Sequence, residues 1–482
     1  NYTSDIPSSG VEEFKSLNAD GFAIRIVMRR DPHETATASC AGDLSLDALR
    51  ETLARARRSM INDPHFPGLP DHPRKLAGKA AGAGDLMRTN DAALAAAAWD
   101  IIGGAIARFT AKQPLKLARP GLVLGGDLSL IRDRIALANS GFDDLRIDEG
   151  AYFNTSVTVL VEALEAKGTA TAVGASLAEM RRAAHRVGAD AVARALKLRH
   201  GERPPAGIYR VVLGPQPVAE ILNYMVLPSL TTGAFRAATS AYHGRFGQQV
   251  MDPRLSLFDD PLAKSGALNR RITCEGLPAR RTELVNAGRL VGLLSNFYET
   301  HRLATDEHRG EKLGPGVDRA AAEFPPLNGY RLGESVARRF DAFPRAIGTN
   351  VIMHTHGGVG ERELLAAVGD GIYIGRVWYT YPINGQRAGD FTCTVSGDSY
   401  VIRDGRLAAP LAPNCFRVNA NIEQIFAAPL VVGKRSEPAL VWGSAEAYYT
   451  PVLAADTITL AAVGAKHEMG SSDGIETGRS IG

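Results

Sequence analysis

The chain is 482 residues long and carries 55 Lys and Arg against 52 Asp and Glu, a formal charge of +3. That length suffices for two domains, each with its own core, and so small a charge excess gives no argument for nucleic acid as a partner. The four cysteines, Cys40, Cys274, Cys393 and Cys415, form no Cys-x-x-Cys pair, which argues against a disulfide framework or a Cys-rich metal centre and suits buried thiols in a reducing compartment.

In chain order, residues 21–28 read as a strand from β-branched content and partial alternation, and residues 46–62 as a helix from apolar positions three and four apart. Residues 63–73 hold Pro64, Pro67, Pro70 and Pro73 and should form a surface loop, because proline removes donors and fixes the backbone. An Ala-rich helix over 91–112 follows, with Asn90 as its N-cap. Its apolar run, residues 92–99, is broken by Asp100 and Gly103-Gly104, too soon for a membrane span. A β-rich stretch over 150–173 leads to an amphipathic helix over 176–196 with a basic solvent face. Residues 199–207, with Pro204-Pro205, read as an interdomain linker, and residues 208–213 restart as a buried strand. No repeat of fixed period is present. The tail over 466–482 is polar with scattered Gly and Ser and is expected to be a flexible arm. No basic segment followed by an apolar core opens the chain, so no secretory signal is indicated and a cytoplasmic location is expected.

Several segments of the last half occur in a telling order: Gly244-Arg245-Phe246-Gly247-Gln248-Gln249-Val250, then Thr273-Cys274-Glu275-Gly276-Leu277-Pro278, then Asn286-Ala287-Gly288-Arg289-Leu290. Thr349-Asn350-Val351, the run from Gly360-Glu361 to Tyr373-Ile374, and Gly389-Asp390-Phe391 with Ser399 to Leu407 complete the series. In this order they resemble the TldD/TldE family, also called PmbA or modulator of DNA gyrase, whose members pair to process peptides, including modified peptide antibiotics. The resemblance runs from about Val211 onward.

In the TldD-type subunit the metal helix reads His-Glu-x-x-x-His, and a Cys near the C-terminus adds a ligand; such N and S donors hold a zinc-bound water whose pKa falls to about 7. Placed in that frame, residues 217–228 put Asn223 at the first His, Tyr224 at the Glu and Pro228 at the second His. Leu440-Val441-Trp442-Gly443 falls where the family has Gly-x-Cys-Gly, so Trp442 stands at the Cys. The resemblance therefore implies a TldE/PmbA-like member with degenerate metal positions, no metal and no cofactor.

Other constellations each have a plainer competitor. On a strand, His354 and His356 share a face about 7 Å apart at Cα, where two imidazoles can bind a metal or act as acid and base. A solvated pair before a Gly-Gly turn is the favoured reading, and a metal-free pair touching substrate is the next. Gly357-Gly358-Val359-Gly360 precedes a helix expected from Glu361 and offers free N–H groups to an anion, but a tight turn is favoured. Tyr242-His243 and Asp259-Asp260 lie in a polar stretch where a rebuilt site is conceivable, but a loop His and a solvated acidic pair are the ordinary reading; Arg29-Arg30, Arg181-Arg182 and Arg270-Arg271 read as solvated faces. Trp378-Tyr379-Thr380-Tyr381-Pro382 lines a substrate cleft or packs in a core or dimer surface. Asn350, His354, His356 and Tyr379 are the candidate cleft residues. No Gly-x-Ser-x-Gly elbow occurs.

The expected architecture is α+β: a TldD/PmbA-like α/β layer domain over 1–200, a β-rich domain with a curved, barrel-like sheet over 207–465, and the tail. Two functions stay open, besides a purely structural scaffold. One is a non-catalytic subunit that helps a TldD-type zinc peptidase bind and process peptides or modified peptide natural products, the peptide adding a strand to a sheet edge. The other is a self-sufficient homodimeric, zinc-independent enzyme acting on an amide- or peptide-like metabolite in a biosynthetic pathway. The partner is a TldD-like subunit or a second copy of the chain, with no nucleic acid and no membrane.

Overall fold

Short-range pairing of β1 (Gly21–Met28) with β2 (Glu34–Ala41), Gly21 opposite Ala41, starts the first layer. It belongs to a computed structural model that describes residues 11–463 apart from 12, 30–32, 72–83, 112–120, 165, 199–200, 316, 318–323 and 334–336. The expected tail lies outside the described residues, as do the end of the proline loop and the first two linker residues. Helix α1 (Leu46–Arg58) starts at Ser45, whose side chain accepts the Ala48 N–H. It ends four residues short of the helix expected over 46–62. The Ser59 N–H turns back to the Arg55 and Ala56 carbonyls, and β3 (Ile61–Asn62) pairs with Thr35 and Glu34 on β2.

Helix α2 (Asp91–Ala111) buries Ala97, Ile101, Ala105 and Phe109 at four-residue spacing, with Asn90 accepting the Ala93 N–H at 3.0 Å as expected. By length and composition alone it could cross a membrane, but its buried stripe packs on α3 (Leu177–Lys197) within one core. The approach is close because Gly188 has no side chain: a Cβ there would lie 2.0 Å from the Ile101 carbonyl oxygen. Beneath the helices run β4 (Leu122–Leu137), β5 (Arg146–Val161) and β6 (Ala166–Gly174), an antiparallel sheet in the order β4-β5-β6. β4 escaped the sequence reading because Gly125-Gly126-Asp127 and Arg132-Asp133-Arg134 break its apolar alternation.

The remaining chain builds β7 (Gly207–Leu213), α4 (Pro215–Ile221), β8 (Leu255–Asp259), β9 (Thr282–Asn286), β10 (Arg289–Leu290) and α5 (Phe297–Ala304). After β11 (Gly329–Tyr330) and β12 (Arg345–Ala346) come β13 (Asn350–Thr355), α6 (Glu361–Val368), β14 (Gly371–Ile374), β15 (Arg376–Pro382) and β16 (Asp390–Gly397). β17 (Tyr400–Arg403), β18 (Arg406–Pro410), β19 (Phe416–Asn421), β20 (Val431–Ala439) and β21 (Ala447–Ala462) close the described chain. Nine strands follow the path β10-β9-β8-β13-β21-β7-β14-β17-β18, and β15, β16, β19 and β20 branch from it. The 16-residue β21 is the hub, pairing with β7, β13, β19 and β20. The fold is α+β, and the large sheet stays open rather than closing into a barrel. Its core joins β7, β8, β13 and β21 to α4 through buried Leu213, Leu257, Met353, Leu453 and Val218.

Buried charge joins β4 and β5 to the loops after β8 and β11. Arg338 sets Nε 2.8 Å from Asp133 Oδ1 and Nη1 2.5 Å from Asp148 Oδ2, and the Arg271 N–H donates to Asp148 at 3.1 Å. Burial alone would raise the Asp133 pKa, but the Arg338 and Arg270 guanidiniums outweigh it and hold the carboxyl below its usual range.

Candidate functional site

The helix placed from sequence in the metal-helix frame is not regular. α4 opens with Pro215 in its first turn, where a missing N–H costs nothing. It passes into a π turn over Leu222–Val226, where Leu227 N–H reaches the Leu222 carbonyl, and ends in a last turn over Leu227–Ser229. Pro228 has no N–H for the Tyr224 carbonyl, so the ladder slips by one residue just before it. The Ser229 hydroxyl (3.0 Å) and the Gln386 side chain both donate to the Met225 carbonyl. Glu220 is buried, Asn223 half-buried, and Tyr224 and Pro228 are exposed.

These residues meet β21 and the turn before it. Tyr448 Oη donates to Asn223 Oδ1 at 2.8 Å, and Tyr224 Oη donates to the Trp442 carbonyl at 3.4 Å. The Trp442 side chain itself is 80% exposed. Burial raises the Tyr224 phenol pKa, and the Glu220 charge adds to it. Glu220 accepts from Gln216 Nε2 at 2.9 Å, and Gln216 also bridges to the Val377 backbone on β15. Burial pushes the Glu220 carboxyl up to about 7, against the opposing pull of Arg376.

A zinc ion does not fit this donor set. Pro228 has no donor, the Asn223 amide oxygen is taken, the Tyr224 phenol holds its proton, and the indole of Trp442 can only donate. His-Glu occurs at residues 33–34 and 467–468, followed at the required spacing by Ala38 and Ser472 rather than His. Among the described residues no group of three or more His, Cys, Asp and Glu is arranged to hold a metal.

The structure brings His354 and His356 together, with ring centroids 4.7 Å apart edge to face. It adds a residue that sequence reasoning missed: His356 Nε2 lies 3.0 Å from Ser256 Oγ, which also accepts the Ala287 N–H at 2.9 Å. Ser256 sits on β8 opposite His354 on β13, a cross-strand neighbour that no local motif announces. His356 lies just past the end of β13, and its N–H donates to the Arg254 carbonyl at 2.8 Å, so the two exposed rings share one face on either side of buried Thr355. Along β13 the pair stands roughly 10 Å from Val351, the residue opposite Tyr448, and so apart from the helix frame.

Asn350 faces no cleft. It is fully buried; its Oδ1 accepts the Leu268 N–H and its Nδ2 donates to the Asp260 carbonyl and to Asn269, fixing the loop after β8. Asp259, read from sequence as solvated, is likewise buried: Oδ1 accepts from the Thr349 N–H and hydroxyl, Oδ2 from Asn328. Tyr379 is exposed, with φ at 53° in a bulge of β15 and its ring 4.7 Å from that of Trp378. The aromatic cluster thus projects outward from the strand that packs on α4.

A cavity of about 1350 Å³ lies elsewhere, between the first layers and a wall made by α5, the β11–β12 pair and loops of the later chain. β1 contributes Phe22 and Arg25, the end of β4 contributes Ile135 and Leu137, and α5 contributes Tyr298. Thr231 also lines it, three residues beyond Pro228, so the cavity reaches the end of the frame helix. Its walls come from segments hundreds of residues apart, which explains why no sequence pattern marks it. Tyr298 is fixed there by its hydroxyl on Asp63 (3.0 Å) and by the Phe66 ring (5.9 Å).

Residues 206–462 match the family described as PmbA/TldA metallopeptidase C-terminal domain. The crystal structure of TldE from Thermococcus kodakarensis superposes with a TM-score of 0.69, covering 92% of this chain and 95% of its own at 14% identity. A protein described as a modulator of DNA gyrase from Thermotoga maritima superposes at 0.63, covering 92% of this chain and 94% of its own at 14% identity. Another of that description, from Bacteroides thetaiotaomicron, gives 0.62, with 92% of each chain covered at 16% identity. Such identities establish likeness of fold alone. No curated protein matches the chain in sequence.

Proposed function

Because the chain belongs to the PmbA/TldD metallopeptidase family, we propose that it is a TldE-type subunit without a metal centre, which pairs with a TldD-type zinc peptidase and holds an extended peptide for it. The observation that carries this reading is the state of the frame helix: Asn223 bonded to Tyr448, Tyr224 bonded to a carbonyl, and Pro228 bending the ladder. The scaffold of a peptidase is kept while its donors are replaced by groups already engaged with one another. The cavity supplies the peptide site. β1 pairs only with β2 and β4 only with β5 among the described strands, and both edge strands contribute to its wall. An extended peptide adding to such an edge is held by main-chain hydrogen bonds and tolerates many sequences. A cytoplasmic location and a role in peptide maturation or antibiotic biosynthesis belong to the same proposal.

Reconstitution tests it. Mixed with a TldD-type subunit that has an intact His-Glu-x-x-x-His helix, the chain should form a stable complex in light scattering. The mixture should cleave a fluorogenic unstructured peptide that neither protein cleaves alone. A chain that stays unpaired and leaves its partner's cleavage unchanged contradicts the proposal.

One observation favours the second reading, a self-sufficient homodimeric, zinc-independent enzyme for an amide- or peptide-like metabolite. Glu220, one helical turn before Tyr224, has a carboxyl pushed to about 7, the range in which an acid or base exchanges protons near neutral pH. That reading requires turnover of a small amide by the chain alone, abolished in Glu220→Gln with the fold retained.

A further inference from the structure

Six arginines line the cavity, namely Arg25, Arg134, Arg331, Arg338, Arg339 and Arg345, together with Asp20, Asp63, Glu275 and Glu299. Three of the arginines are committed to partners: Arg134 to Glu149, Arg338 to Asp133 and Asp148, Arg339 to Asp341. Arg25 and Arg331 are not. Arg25 donates from Nε to the neutral Thr37 hydroxyl at 3.2 Å and lies 5.4 Å from the centroid of the Phe66 ring. Arg331 donates from Nη1 to the Phe340 and Ala342 carbonyls, both at 3.2 Å. Among the described residues neither has a carboxylate within ion-pair distance. Burial depresses the Arg25 pKa, and the nearby Arg331 charge adds to it.

Among the described residues the acids beside them form no ion pair with either guanidinium, although the Glu275 charge favours the charged form of Arg25. Glu275 lines the same wall, but burial raises its pKa, and its Oε2 is buried without a hydrogen-bond partner among the described residues. Asp63 is engaged by the Tyr298 hydroxyl. The neighbouring Cys274 thiol is also raised by burial, with the Glu275 charge adding to it, and stays neutral.

We propose that Arg25 and Arg331 form a carboxylate-binding site at one wall of the interdomain cavity, which captures the C-terminal carboxylate of the peptide held there. The peptide as source of that carboxylate rests on the function proposed above; the charge of the site does not. Guanidinium Nη groups are suited to the two oxygens of a carboxylate, and a paired anion relieves the repulsion between the two cations. The site would orient the peptide in the cavity, its last residue at Arg25 and Arg331 and its earlier residues along the free strand edges.

The test compares two fluorescein-labelled hexapeptides of one sequence, one ending in a free carboxylate and one in an amide, binding to the full chain by fluorescence anisotropy. The acid should bind at least about tenfold more tightly, the loss expected for one charge-assisted hydrogen bond. Arg25→Gln and Arg331→Gln should each remove that advantage and leave amide binding unchanged. Arg25→Lys, which keeps the charge, should restore part of it and reports on site chemistry if a Gln variant melts early. Equal binding of acid and amide overturns carboxylate capture while leaving the peptide reading in place. If neither peptide binds, yet N-acetylalanine raises the melting temperature in an Arg25- and Arg331-dependent way, the carboxylate site stands and its ligand is a free small acid. Absence of binding by all three probes overturns the site and its peptide together.

Discussion

Tyr448 on β21 donates its hydroxyl to the Asn223 amide oxygen at 2.8 Å, across the line where the family's metal helix meets the sheet. The bond cross-links helix and sheet, at the position that the proposed function assigns to a lost metal ligand. Tyr448→Phe should leave the amide oxygen without its donor and lower stability by about 1 kcal/mol. Urea unfolding of the purified variant measures it, and an unchanged midpoint would show that the bond is dispensable.

Two buried carboxyls make stability depend on pH. Burial pushes Glu220 up to about 7, partly offset by Arg376, and pushes Asp259 to about 7, partly offset by bonds from Thr349. In the unfolded chain they titrate near 4.5 and 3.8. Between those values and about 7 the folded protein keeps protons that the unfolded chain has released. Stability is thus full below the unfolded values, falls as pH rises toward 7, and levels off above it. The fall is on the order of 3 kcal/mol per carboxyl. Glu220→Gln should flatten part of it, seen as a melting temperature that gains on the parent between pH 5 and 8; parallel curves would contradict the assignment.

How much of this was legible in sequence differs element by element. α2 and α3 were, because an apolar stripe at helical spacing and, for α2, a capping Asn90 are local signals. β4 was not, since glycines and charges interrupt its alternation while sixteen cross-strand pairs with β5 hold it. The frame residues could be numbered from the family pattern. Their engagement with Tyr448 and the Trp442 carbonyl could not, because those contacts join residues more than 200 positions apart. The same holds for Ser256 beside His356 and for Arg331 near Arg25, which only the folded chain assembles.

Arg338 ties the loop between β11 and β12 to β4 and β5, with Asp133 and Asp148 around it. Replacing it with Met leaves two buried carboxylates without their shared cation, and a broken buried pair typically costs about 3–5 kcal/mol. The expected result is an early transition in urea and faster proteolysis at the junction. A single cooperative transition at the parental midpoint would count against this role.

Gly188 fixes the separation of α2 and α3. Its substitution by Leu drives side-chain atoms against the Ile101 carbonyl, a contact at 2.0 Å for Cβ alone, and should cost about 1–3 kcal/mol or more. Thermal melting of Gly188→Ala and Gly188→Leu gives the ordering parent, Ala, Leu from most to least stable.

The central claim is that the frame helix has exchanged a metal centre for an internal hydrogen-bonded joint. It is tested most directly by measuring metal content, by mass spectrometry, on full-length chain purified without added metal and again after dialysis against micromolar zinc followed by metal-free buffer. The account predicts well below one zinc per chain in both samples, with no change in melting temperature. One tightly held zinc per chain, lost on replacing residues of the frame, would contradict it.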